Sequence, residues 1–123
     1  RNIENHLLRY EDQYYHYFKM REKQFEIIER IMPFISSLDD TVIQGIKIST
    51  FLEELSQAVG PVNTASYFLD ELSKMRQEFQ QMELPQTRQE FEIRSSLYYV
   101  MHELEKYLLI KESLRKEPIN KGK

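Results

Sequence analysis

Residues 63–90 read NTASYFLDELSKMRQEFQQMELPQTRQE. Ala65, Phe68, Leu69, Leu72, Met75, Phe79 and Met82 recur here at steps of three and four, which places them on one side of an α-helix. Asn63 and Thr64 stand where a side-chain oxygen accepts from the open amides of a first turn. Leu84-Pro85 closes the run, because proline has no amide donor and disfavours helix in the residue before it. Thr87, followed three residues later by Glu90, then opens a new helix as a capping box. A helix, a break and a fresh helix start are thus written into one short stretch, and the same pattern extends both ways.

Toward the C-terminus, Phe91, Leu97, Tyr98, Met101, Leu104, Leu108 and Leu114 are expected to face inward from a helix persisting to about Lys116. Toward the N-terminus, Gly60-Pro61 is a stop: Gly accepts the left-handed conformation after a helix end and Pro cannot continue it. Before it lies a segment with capping candidates Asp39, Asp40 and Thr41 and apolar Val42, Ile43, Ile46, Leu52, Leu55 and Val59. Gly45 and Ile48-Ser49-Thr50 weaken its middle. Thr50 with Glu53 would cap a restarted helix, so one helix or two shorter ones remain open between residues 45 and 50.

The first segment is expected to run from about Asn5 to about Met32. Its apolar stripe is Ile3, Leu7, Tyr10, Tyr14, Tyr17, Phe18, Phe25, Ile28, Met32 and Ile35, closer to a 3.6-residue period than to a strict heptad. Pro33 is expected to kink or end it, with Phe34 to Leu38 as an irregular last turn.

No period-two run of useful length occurs, and no internal repeat or low-complexity segment is visible. The fold class expected is all-α: an antiparallel up-down-up-down four-helix bundle with long first and last helices, occupying residues 1–117 as one domain, with 118–123 as a flexible basic tail. The outer helices span about 28–30 residues, roughly 42–45 Å, against about 20 residues and roughly 30 Å for the inner pair. Their excess is expected to project at one pole as a two-helix stalk.

Composition bounds the function. The 123 residues fit one domain, and the absence of cysteine excludes disulfide scaffolds, thiolate catalysis and Cys-based zinc sites. A net charge of −3 argues against a nucleic-acid binder. No apolar run approaches the ~20 residues that cross a bilayer, and the start at Arg1 reads as a piece of a longer protein.

His6, His16 and His102 are preceded three residues earlier by Ile3, Gln13 and Tyr99, so the Glu-x-x-His pairs of a dinuclear bundle site are absent. The chain has no nucleophile elbow and no P-loop, and Asp39-Asp40, Glu53-Glu54 and Asp70-Glu71 read as caps or solvated faces. No enzyme, metal or cofactor is expected.

Two features invite function. The first is Tyr14-Tyr15-His16-Tyr17-Phe18, five consecutive rings that cannot share one face when successive residues turn by ~100°. One reading packs Tyr14, Tyr17 and Phe18 inside and leaves Tyr15 and His16 on the rim. The other makes Tyr14, Tyr15, Tyr17 and Arg21, with Tyr98 and Tyr99, a protein contact or a pocket for an aromatic carboxylate. The second feature is a basic end, Lys111, Arg115, Lys116, Lys121 and Lys123. It gives residues 111–123 an excess of three positive charges and leaves the rest at −6. It either completes a helix dipole or faces an anionic leaflet.

The strings Glu4-Asn5-His6-Leu7-Leu8-Arg9-Tyr10-Glu11, Tyr14 to Phe18 and Arg21-Glu22-Lys23-Gln24 resemble the C-terminal cytoplasmic domain of the bacterial putative aromatic acid exporter family. So do Phe51 to Leu55, Tyr67 to Leu72 and Leu84 to Glu92. These are helix-packing strings, and no functional residue carries over. The resemblance implies a helical domain that follows a membrane-embedded half. The expected function is a non-catalytic cytoplasmic domain of a cell-membrane protein with an assembly or regulatory role, and an aromatic-acid sensor or a free-standing helical adaptor is the alternative. Expected partners are the membrane-embedded half, a second copy and an anionic lipid surface, with no nucleic acid.

Overall fold

The computed structural model describes residues 2–36, 43–58 and 64–116, and side chains from residue 3 to residue 113 within those ranges. Four helices account for nearly all of them: α1 (Asn2–Ser36), α2 (Ile43–Gln57), α3 (Ala65–Gln80) and α4 (Arg88–Lys116). Among the described residues there is no strand, and the fold is all-α.

The α3 stripe holds as expected. Ala65, Phe68, Leu72, Met75 and Phe79 are buried, and Leu69 and Met82 are half-buried against them. Thr64 stands at the N-cap position without a side-chain cap, its buried hydroxyl unpartnered among the described residues, while Asn63 lies outside them. The start of α4 is capped by Thr87 and Glu90. The Glu90 amide donates to Thr87 Oγ1 at 3.0 Å, and the Glu90 carboxylate accepts from the Gln86 amide at 2.8 Å, one residue earlier than the standard box. Arg94 adds a hydrogen bond from its guanidinium to the Glu83 carbonyl, tying the α3–α4 connection to α4.

Helix α4 is the element that packs against all three others, whereas among the described residues α1 packs against α4 alone. Leu97, Val100, Met101, Leu104 and Leu108 of α4 are buried together with Ile48 and Phe51 of α2, Ile31 of α1 and the α3 stripe. On one flank of α4, Tyr98 meets Phe79 of α3 edge to face, with ring centroids 6.1 Å apart. On the other, Tyr99 packs on Phe34 of α1 at 5.1 Å. Phe51 and Phe68 pack edge to face at 5.6 Å, and Lys47 pairs with Glu78 at 3.2 Å, joining α2 to α3.

Several local expectations change. α1 runs through Pro33 to Ser36 rather than ending there. Proline removes one amide bond, but Phe34 on Tyr99 and Ile35 against the core hold the following turn in place, and Ser36 Oγ donates to the Pro33 carbonyl. α2 is one unbroken helix of 15 residues, so Thr50 and Glu53 cap no restart. Its inward positions are Gln44, Ile48 and Phe51, while Ile43 and Ile46 are exposed. Phe91 of α4 is also exposed, and Val100, outside the expected stripe, is buried. The expected features at Asp39 to Val42, Val59 to Asn63 and 117–123 lie outside the described residues.

The register between α1 and α4 descends steadily: Gln24 beside Tyr107, Arg30 beside Glu103, Phe34 beside Tyr99. The two helices are therefore antiparallel, with the α1 N-terminus and the α4 C-terminus at one end. Extending this register brings Lys116 level with about residue 15 of α1, so roughly 13 residues, about 20 Å, of α1 reach past the described end of α4. α3 runs along α4 from the Phe79–Tyr98 contact to the Arg76–Glu105 pair at 3.5 Å, and the same direction takes its start toward the last turns of α4. The described projection is thus one helix, not the two-helix stalk expected, because α3 accompanies α4 and nothing described accompanies the start of α1.

Candidate functional site

The largest departure from expectation is the face that α1 turns inward. Ile27 and Ile31 are buried, Ile31 to 2% exposure, together with Gln24, and Ile35 is half-buried. Each of Gln24, Ile27 and Ile31 precedes a residue of the expected core stripe, Phe25, Ile28 and Met32, by one position, which is about 100° around the helix. That stripe exists, but it faces outward. Ile3, Leu7, Tyr10, Tyr14, Phe18, Phe25, Ile28 and Met32 are all exposed, Tyr14 to 65%.

Physical chemistry selects the inner face by polar satisfaction as well as by burial. Gln24 Nε2 donates to the Tyr107 carbonyl at 3.3 Å, and its Oε1 accepts from Arg21 at 2.7 Å. Six residues further along α1, Arg30 donates to Glu103 Oε1 through Nε at 3.1 Å and Nη2 at 2.8 Å, and Lys106 donates to Oε2 at 3.1 Å. Burial pushes the Glu103 carboxyl up, but the hydrogen bonds from Arg30 and Lys106 and the charges of these two residues together outweigh it, so the group titrates below its ordinary value. Hydrogen bonding to Glu103 raises Arg30 in turn. A buried carboxylate with two cations is a satisfied structural ion pair, aimed into the α1–α4 seam.

None of the five consecutive rings is inside: Tyr14, Tyr15, His16, Tyr17 and Phe18 are all exposed, because α4 ends near their level and no other described element reaches them. Tyr10, Glu11, Tyr14, Tyr15 and Phe18 border an open hollow on this single helix. Lys19 Nζ lies 5.9 Å from the Tyr15 ring centroid and pairs with Glu22 at 3.3 Å, a contact that raises its pKa. Arg21 is exposed and engaged with Gln24.

Tyr98 and Tyr99 are half-buried, on Phe79 and Phe34 respectively. Tyr99 lies level with Phe34, about 20 residues and roughly 30 Å along α1 from Tyr14. Within one chain the two tyrosine groups do not meet. At the basic end Lys111 is half-buried; the side chains of Arg115 and Lys116, and all of Lys121 and Lys123, lie outside what is described. Among the described residues no cluster of three or more His, Asp or Glu could hold a metal ion, and no helix is long and apolar enough to cross a membrane. The outward stripe of α1 is therefore the feature with unspent chemistry. Sequence periodicity could find the stripe but not the direction it faces.

The chain is 54% identical over 111 residues to the uncharacterized protein YqjA of Bacillus subtilis (strain 168), a match covering 90% of this chain and 34% of that protein. The chain thus spans about a third of the length of the curated relative it matches here. No solved structure matches. Residues 1–112 match the family described as the putative aromatic acid exporter C-terminal domain, and the chain belongs to that family.

Proposed function

We propose that the chain is a cytoplasmic, non-catalytic domain of an exporter-like membrane protein, and that it assembles or regulates the membrane-embedded part. The observation that carries this reading is the outward stripe of α1, a run of large apolar side chains along nearly the whole helix with no described element against it. Contiguous exposed apolar surface of this extent marks a contact surface in a folded protein. The family supports a membrane-embedded partner, and the shared pole of the α1 N-terminus and the α4 C-terminus, where Lys111 lies, is the end we assign to the membrane side. There Lys111, Arg115 and Lys116 would meet an anionic leaflet.

The test is the full-length protein carrying Tyr14→Glu and Phe18→Glu, extracted from membranes and sized beside the wild type, with aromatic-acid efflux measured in the same cells. The expected result is normal insertion with a smaller assembly or altered efflux. Unchanged assembly together with unchanged efflux would overturn the reading. Its cytoplasmic placement is checked by labelling a Tyr15→Cys variant in intact cells and in inverted vesicles, with labelling expected in the vesicles alone.

A further inference from the structure

We propose that the outward stripe of α1 is the seam of a parallel homodimer, in which α1 of a second copy lies alongside it and runs in the same direction. The inference rests on the assembly reading above and names the occupant of its surface.

The stripe is built for a helix of its own kind. Ile3, Tyr14 and Phe25 are spaced by eleven residues, as are Leu7 and Phe18. An eleven-residue repeat is nearly in phase with the α-helix, so the seam stays on one side and two such helices pair with little supercoil. Rings exposed to 55–65%, such as Tyr14, Phe18 and Phe25, offer about 100 Å² each, and the stripe as a whole offers roughly the 800 Å² per partner of a standard interface.

Charge chooses the direction. Glu4, Glu11, Glu22 and Glu29 share one flank of the stripe, whereas the opposite flank has no acidic residue; Arg21, eleven residues from both Tyr10 and Met32, lies within the stripe and is engaged with Gln24. Parallel copies set each acidic flank against the other copy's flank that has no acidic residue. Antiparallel copies set acid against acid. The acidic flank also repels an anionic leaflet, which leaves a second copy as the better match for this face. Parallel pairing further keeps both α1 N-termini at one end, as two copies facing one membrane require. The core lies about 100° from the stripe, so the two bodies sit clear of each other.

The chain has no cysteine, so introduced thiols report cleanly. Sedimentation of this chain at about 10 μM is expected to show a dimer. Tyr14→Glu with Phe18→Glu is expected to give a monomer that keeps its helix content, since neither ring touches the core, and whose melting temperature no longer rises with chain concentration as that of the dimer does. Leu7→Cys and Met32→Cys, made singly and oxidised, are each expected to form a homotypic disulfide-linked dimer. A wild-type chain that stays monomeric at about 100 μM overturns the proposal. So does a cross-link that forms only between Leu7→Cys and Met32→Cys chains in a mixture, which would mean opposite directions. If the chain is monomeric while the same glutamates still disrupt the full-length assembly, self-pairing fails and the assembly reading survives. If they disrupt neither, both fail.

Discussion

The Gln24 side chain donates to the backbone carbonyl of Tyr107 across the α1–α4 seam at 3.3 Å, and Phe25, the next residue, faces away from that seam at 60% exposure. One polar side chain is thus inside and one aromatic outside on successive positions of one helix. The inversion predicts unequal costs for two truncations that hydrophobicity alone would rank the other way. Ile31→Ala should cost about 2–4 kcal/mol, because it leaves a hole in the shared core. Phe25→Ala should change chain stability by no more than about 0.5 kcal/mol. Urea unfolding of both variants, followed by helical circular dichroism at a concentration where the chain is monomeric, provides the check.

The ion pair between Arg30 and Glu103 predicts coupling. Either partner replaced alone by Met leaves charge facing an apolar group in the seam, and each single variant should melt below the wild type. The double variant should lose less than the two singles summed, since it removes the cause of the penalty along with the pair. A thermal-melt double-mutant cycle reads this directly, and strict additivity would deny that the two groups act together.

The depressed Glu103 carboxyl also predicts acid sensitivity of a definite sign. A folded state that binds its proton less readily than the unfolded chain is stabilised at higher pH. The contribution is complete above the ordinary Glu range near ~4.3 and is lost as the pH falls through the lower folded value. The urea midpoint should therefore fall between pH 6 and pH 3, and Glu103→Gln should fall less steeply over the same window.

The start of α4 makes a local prediction. Thr87→Ala removes the oxygen that accepts from the Glu90 amide, and should cost about 1 kcal/mol. Thr87→Ser should retain most of that. Amide exchange near Glu90, compared with exchange near Leu104, separates fraying of the first turn from general loss of stability.

Helix class, the α3 stripe and the cap at Thr87 were legible because each depends on a few neighbouring residues. That α1 continues past Pro33 was not legible for the opposite reason: whether a helix survives a proline near its end depends on what holds the next turn, here Tyr99 far along the chain. The stripe of α1 shows the deeper limit. Periodicity establishes that an apolar face must be covered, but it is silent on whether the chain or another molecule covers it. With Ile27 and Ile31 offset from Phe25 and Ile28 by one position, α1 carries two apolar faces, and only the position of α4 decides which becomes core. Gln24 and Glu103, the polar groups inside the seam, gave no signal in hydropathy at all.

Footprinting by hydroxyl radicals would test the central claim most directly, with Tyr14, Phe18 and Phe25 compared between the full-length protein in its membrane and this chain diluted to a monomer. The account predicts strong protection of all three rings in the full-length protein, with Tyr67, which lies exposed on α3, unchanged. Equal reactivity of the three rings in both states would mean that nothing covers the outward face of α1, and would contradict it.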